Sequence, residues 1–404
     1  MANIAQGVSK ILAYKKQTAL GSPASGSGGQ DLRRTSSTIN LTKETYQSAE
    51  IRSDQQIADF RHGSKQVTGT ISGELSTGTY KDLLGSVLRK DFASVTSLTA
   101  AAVTIVASTG VITFQTGNPL TSGIKIGMVV RITAGAVAAA NLNKNLLVIG
   151  VTATTLTVKT LNGSALADNA TSVTGVTVAI PGKISYTPET SQTNDFYTIE
   201  HWYSDIAQSE VFNDVAVTNA QVSISATGLS TIGFPLIGLD MTTGTSQVLT
   251  TPTVMSTGGA FAGANGLLYV NGAAVAVITS IDFDINGNMT AADAVVGSIS
   301  RPDIFQGTLS VTGNMSIYFI DGVFRDYFVN ETEVSVNVAL STSSSATADF
   351  VSFIMSRVKV GGADVTDGQN GLTRTFPFTA LKNTAGGASL ANFATTLMVQ
   401  DSAA

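Results

Sequence analysis

Few residues of this chain have the type and spacing that chemistry needs. It holds two histidines, His62 and His201, in unrelated contexts. A zinc site or histidine-based catalysis needs partners at set spacings, and neither histidine has them. Asp282 and Asp284 stand at i and i+2 in "SIDFDIN", so on a strand both carboxylates face one side, as acid–base work would require. The matching early segment "TINLTKE" carries Asn40 and Thr42 there, which favours a solvated, weakly acidic sheet face. "GSGGQ" and "TGGAFAGANG" lack the GxxxxGK[ST] pattern of a phosphate cradle and read as loops. With no cysteine, disulfides, thiolate metal sites and thiol nucleophiles are excluded. The sequence offers no catalytic residue, no metal site and no cofactor, and is not read as an enzyme.

What recurs instead is a polar strand face. In "QVTGTISGELSTGTYKDLL", Thr68, Thr70, Ser72 and Glu74 alternate with Gly69, Ile71, Gly73 and Leu75. Later, Thr308, Ser310, Thr312, Asn314 and Ser316 alternate with Leu309, Val311, Gly313, Met315 and Ile317. A short helix follows each strand, "GTYKDLL" and "GVFRDYF". Thr79 with Asp82 predicts a capping pair for the first, and Arg89 and Lys90 suit its C-terminus. "TISGELS" (70–76) aligns without gaps to "SVTGNMS" (310–316), Gly73 falling on Gly313 at an offset of 313 − 73 = 240. The helices stand 322 − 78 = 244 apart, which implies four extra residues between strand and helix in the second copy. "TINLTKE" (38–44) matches "SIDFDIN" (280–286) at nearly the same offset, and three matched elements indicate a tandem duplication.

The elements around these strands are β-rich. Of 404 residues, 43% are hydrophobic and 13% charged, with Gly, Ser, Thr, Val and Ala in short apolar runs broken by turns. That is an all-β composition with short flanking helices, too long for one compact domain. The predicted layout is an N-terminal arm (1–30), a first unit split into 31–92 and 183–239, an inserted small β-barrel of five or six strands (93–182), a connection (240–266) and a second unit (267–404). A net charge of −5 argues against a surface that grips duplex DNA. No stretch has the apolar length of a spanning helix or a signal-peptide core, so no membrane role is expected. The polar stretch 47–65, with Arg52, Asp54, Asp59, Arg61 and His62, is too long for a hairpin turn and reads as a functional loop.

The runs "YKKQTALGSP", "EIRSDQQIADFRHG…TGTISGEL", "EVFNDVAVTNAQVSISATG", "ITSIDFDINGNM" and "DIFQGTLSVTGNMSIYFIDGVFRDYF" resemble the tail tube (major tail) proteins of bacteriophages with long non-contractile tails, the siphoviruses. The resemblance covers most of the chain outside 93–182. It implies a β-sandwich with a flanking helix, self-assembly into rings whose inner strands join in one β-barrel, and ring stacking into a virion tail tube. The tube surrounds the tape-measure protein, meets tail terminator and tip proteins, and passes DNA at ejection; assembly takes place in the bacterial host cytoplasm. Families that carry the unit twice form trimers with pseudo-sixfold symmetry, the arrangement expected here.

On that expectation Thr68, Thr70, Ser72, Glu74, Asp282, Asp284, Thr308, Ser310, Thr312, Asn314 and Ser316 line the lumen, where a neutral-to-acidic wall lets phosphates pass unheld. Arg52, Asp54, Asp59, Arg61 and His62 belong to an inter-ring loop, and the inserted barrel decorates the outside. The alternative is a secreted or surface carbohydrate-binding or adhesin module that uses the aromatic strand "FYTIEHWY".

Overall fold

The computed structural model describes residues 4–275, 277–365 and 371–404. In chain order, strands β1 (Lys10–Lys16), β2 (Asn40–Gln47) and β3 (Phe60–Glu74) lead to helix α1 (Lys81–Leu88). Six strands then close a barrel: β4 (Leu98–Val106), β5 (Val111–Thr116), β6 (Val129–Ala134), β7 (Leu146–Val151), β8 (Thr155–Thr160) and β9 (Asn169–Ala179). The chain returns through β10 (Lys183–Tyr186), β11 (Tyr197–Tyr203), β12 (Gln208–Val217), β13 (Asn219–Ser225), β14 (Thr231–Gly238) and β15 (Asp240–Gly244). A second series follows: β16 (Gly266–Val270), β17 (Ile278–Asn286), β18 (Ser310–Tyr318), helix α2 (Val323–Val329), β19 (Val334–Ser341), β20 (Phe350–Val360), β21 (Asp364–Val365), β22 (Thr373–Ala380) and β23 (Met398–Asp401).

Each series is a β-sandwich. In the first, β2, β3, β14 and β13 form an inner sheet, and β1, β11, β12 and β15 an outer one. The alternating pattern of β3 sends Val67 and Ile71 inward, and with Leu75 just after the strand they join Phe234, Phe212 and the α1 residues Leu83, Leu84, Val87 and Leu88. Each fully buried aliphatic or aromatic side chain contributes about 1.5–3 kcal/mol. The second sandwich repeats the plan, with Phe283 on the inner sheet meeting Phe353 on the outer one edge to face at 5.2 Å.

The duplication is shown by pairing, and pairing corrects the alignment. Partners on β2 and β3 sum to 40 + 68 = 108; those on β17 and β18 sum to 282 + 314 = 596. The difference, 488, is twice 244, the helix offset. Pro235 opposes Thr70 as Pro377 opposes Asn314, which again gives 314 − 70 = 244. Gly69, not Gly73, is therefore the counterpart of Gly313. At both glycines a Cβ would overlap equivalent atoms of the paired strand, near Thr38 and Ile39 in one unit and Asp282 and Phe283 in the other. The four extra residues do not exist: one offset runs through strand and helix alike. Tyr80 against Phe234 (5.5 Å) recurs as Phe324 against Phe376 (5.8 Å). A bulge between Tyr197 and Ile199 recurs between Val334 and Val336, 137 residues on.

Three local expectations also change. The N-cap of α1 is Tyr80, without a side-chain cap; Thr79 bonds Ser76, and Asp82 accepts a 2.8 Å bond from the Tyr14 hydroxyl. Arg89 ends α1 in the left-handed region (φ 62) and donates to the carbonyls of Gly287 and Gly307, tying the first unit to the second. The supposed arm contains β1, whose Leu12, Ala13 and Tyr14 are buried, and the supposed connection begins with β15. The rest of that connection is pinned by buried Glu200, which accepts from Val248 N and Leu249 N at 2.8 and 2.7 Å.

The six-stranded barrel follows α1 in sequence but packs on the second unit. Val129 and Leu147 share a cluster with Tyr269, Ala339 and Phe350, while Ile354 and Met398 enter the barrel's own cluster. Buried Gln400 on β23 bonds the backbone N–H and carbonyl of Val129.

The aromatic strand β11 is core. Phe196 and Tyr197 are buried, and buried His201 stacks edge-on against Phe212 and meets Ser37 Oγ at 2.9 Å. The rings of Phe196 and Tyr197 are buried and those of Trp202 and Tyr203 half-buried, so the stretch presents no fully exposed aromatic row. Burial first, then the charges of Lys10 and Arg34, push the His201 pKa down to about 3. Glu210, 3.6 Å away and partly solvated, does not offset them. The folded state thus keeps His201 neutral while the unfolded chain protonates near pH 6.5. Below that pH the unfolded state binds the extra proton, so stability falls as pH drops from about 6.5 towards about 3. Urea midpoints for the wild type and His201→Asn, measured from pH 7 to 4, are expected to converge on acidification, because the variant lacks this proton uptake.

Candidate functional site

The inner strands of both sandwiches form one continuous sheet in the order β2, β3, β14, β13, β17, β18, β22, β21, eight strands in all. Its apolar face is the core just described. Its other face lines an open trough of about 880 Å³ that crosses six of the strands. Cross-strand pairing fixes which residues share that face. Ser72 opposes Gly233, which opposes Gln221, which opposes Asp284, which opposes Thr312, which opposes Thr379.

Ten of the eleven expected face residues lie on these strands at face positions: Thr68, Thr70, Ser72, Glu74, Asp282, Asp284, Ser310, Thr312, Asn314 and Ser316. Thr308 does not; it precedes β18, and its carbonyl accepts from Asn288. Sequence reasoning missed Gln221, Ser223, Thr375 and Thr379, because β13 and β22 were not separated from their neighbours as face strands. On β3, β14, β13, β17, β18 and β22 the face positions hold three carboxylates, Glu74, Asp282 and Asp284, and no Lys or Arg. Arg33, from the segment before β2, reaches Glu74 at 3.3 Å. Ser223 donates to Asp282, and Asn219 to both oxygens of Asp284. Burial raises the Asp284 pKa, which the Asn219 bonds partly oppose.

Both edges of the sheet are open among the described residues: β2 pairs only with β3, and β21 only with β22. Inside the chain the corresponding edges are joined. β13, the counterpart of β21, pairs with β17, the counterpart of β2, over seven residues from Asn219↔Asn286 to Ser225↔Ser280.

One rim of the sheet carries the hairpin between β2 and β3. It was expected as a charged loop over 47–65, but β3 begins at Phe60, so Arg61 and His62 are strand residues and the loop is 48–59. Arg52 pairs with Asp54 and Arg61 with Asp59, each at 2.8 Å and each within the hairpin. The tip also exposes apolar side chains, Ile51, Ile57 and Phe60, beside the polar Glu50, Gln55 and Gln56. Beside them runs the loop between β17 and β18, held by Lys65 N to Ile299 O at 2.9 Å and by Arg301 to Glu44 at 3.1 Å. It too exposes apolar residues, Val295, Val296 and Ile299. Isolated isoleucines in the otherwise polar "EIRSDQQIADF" were the available signal.

Among the described residues, no group of three metal-ligating side chains converges and no helix is long and apolar enough to cross a membrane. The large concave surface is a smooth polar sheet face, and what stands unsatisfied is its edges and rim. In comparisons with known proteins, the family model for phage tail tube protein matches residues 7–380. No curated protein matches.

Proposed function

The chain belongs to the phage tail tube protein family, and from that premise we propose that three copies close edge to edge into a ring whose bore is the polar face. The observation that carries this reading is the internal seam. β13 and β17 already join unit to unit, so β21 of one copy meets β2 of the next by repetition of the same contact. Three chains of eight inner strands give a barrel of 3 × 8 = 24 strands with no free edge, which removes the aggregation hazard of open strands. The ring is a trimer with pseudo-sixfold symmetry.

Rings stack through the hairpin rim to make the tail tube of the virion, assembled in the host cytoplasm around the tape-measure protein and closed by terminator and tip proteins. The role is structural rather than catalytic. With Glu74, Asp282 and Asp284 and no lysine or arginine at its face positions, the wall repels phosphates weakly and holds none, which suits a conduit for DNA. The inserted barrel sits on the outer sheet, away from the bore. Electron micrographs of the purified protein are expected to show rings or tubes; monodisperse monomers at every concentration and salt tried would overturn the proposal.

A further inference from the structure

The duplication extends beyond the strands. Lys10 opposes Tyr203 on β11, and Gly266 opposes Leu340, 137 residues on, so β1 maps to β16 at 266 − 10 = 256. The turn before each strand obeys that offset: Gly7–Ser9 and Gly263–Asn265 are both 3-10 turns. Ser9 N donates to Gln6 O at 3.0 Å, and Asn265 N to Ala262 O at 3.1 Å. Ser204 Oγ holds Ser9 O as Ser341 Oγ holds Asn265 O.

The segment before β16 is docked on the first unit. Ala260 bridges Ser76, Phe261 N donates to Leu75 O, Ser230 N donates to Phe261 O, and Phe261 is fully buried. A Cβ at Gly263 would overlap the Ser225 carbonyl oxygen. The segment before β1 has the same shape and no such dock: Gly7 has nothing near it, and Ile4 is 86% exposed.

The receiving site exists on the second unit. Phe319 N donates to Leu372 O at 2.9 Å, as Leu75 N does to Ser230 O at 2.9 Å. Among the described residues, the Phe319 carbonyl and the Leu372 N–H have no partner, whereas their counterparts hold Phe261. Ile320, the counterpart of Ser76, is 68% exposed.

We infer that residues 4–9 of one copy dock on the second unit of its neighbour, with Ile4 pairing against Ile320. The positions follow from 260 − 256 = 4 and 76 + 244 = 320. The donor is the same neighbour whose β2 meets β21, so this contact is a second clasp on the same seam. It explains two large apolar side chains that a free chain leaves in water. It rests on the ring closure proposed above and adds a partner segment to it.

The test uses full-length chains, which contain no native cysteine. Ile4→Cys with Ile320→Cys is expected to give disulfide-linked trimers on oxidation, including in rings whose stacking is blocked by Ile51→Asp and Ile57→Asp. Monomers on a non-reducing gel, from a chain that still cross-links at Asn40→Cys and Asp364→Cys, would overturn the clasp and leave the ring standing. Failure of both pairs would overturn the ring as well. Gly7→Val is expected to weaken ring formation by about tenfold or more while the melting temperature of the monomer stays unchanged. Gly263→Val is expected to lower that melting temperature, because its dock is inside the chain. Ring formation by Gly7→Val at the wild-type concentration would count against the clasp.

Discussion

Asn40→Cys combined with Asp364→Cys converts the assembled protein into a covalent trimer under mild oxidation. The pair is fixed by repetition of the internal seam. Gln221 opposes Asp284 there, and the pairing registers place Asp364 at 221 + 143 and Asn40 at 284 − 244. Directly opposed residues on antiparallel strands have Cα atoms about 4.5–5.5 Å apart, within the range a disulfide spans. The control is Leu41→Cys with Asp364→Cys. One residue of shift turns the thiol to the opposite face of the sheet, so no cross-link is expected. Because each chain offers one thiol at each edge, a closed ring consumes both, and the covalent product counts its own members. A ladder without a terminal species would mean open chains of subunits rather than rings.

Ile51→Asp with Ile57→Asp leaves rings intact and abolishes tubes. Two isoleucines in each of three chains, exposed in the single chain and covered on stacking in the proposed tube, give six side chains per ring junction, at about 1.5–3 kcal/mol each. Replacing them with carboxylates removes that gain and adds the cost of burying charge. Reversing the arginines acts less strongly. Arg52 and Arg61 already bond Asp54 and Asp59 inside the same hairpin, and exposed pairs contribute about 0–1 kcal/mol. Negative-stain counts of rings against tubes read the difference. Tubes of normal length from the double aspartate variant would show that the junction lies elsewhere.

The sequence carried the polar faces of β3 and β18 plainly, because an alternating strand states which residues share a side. It carried the duplication, but with a slip. Alternating strands look alike at any even shift, so "TISGELS" scored against "SVTGNMS" as well as against its true counterpart four residues on. Only the close approach at Gly69 and Gly313, and the Phe234–Pro235 and Phe376–Pro377 pair opposite, fix the register. Capping at Thr79 failed for a tertiary reason: the hydroxyl of Tyr14, 68 residues away, takes Asp82. The seat of the inserted barrel was illegible, since its contacts with Phe350 and Ile354 pair residues some 200 positions apart. The apolar hairpin tip was present in the sequence and outweighed by its charges. Exposure, not residue type, is what singles out Ile51 and Ile57 for the proposed ring junction.

The inserted barrel also makes the central claim countable. Each chain carries one such barrel on its outer sheet, so a ring of three chains shows three outer knobs around a wall that looks sixfold. End-on class averages of single rings resolve knobs of this size. Three knobs around one continuous wall is the expected image. Six knobs would mean six whole chains per ring and would contradict the closure of the barrel by three.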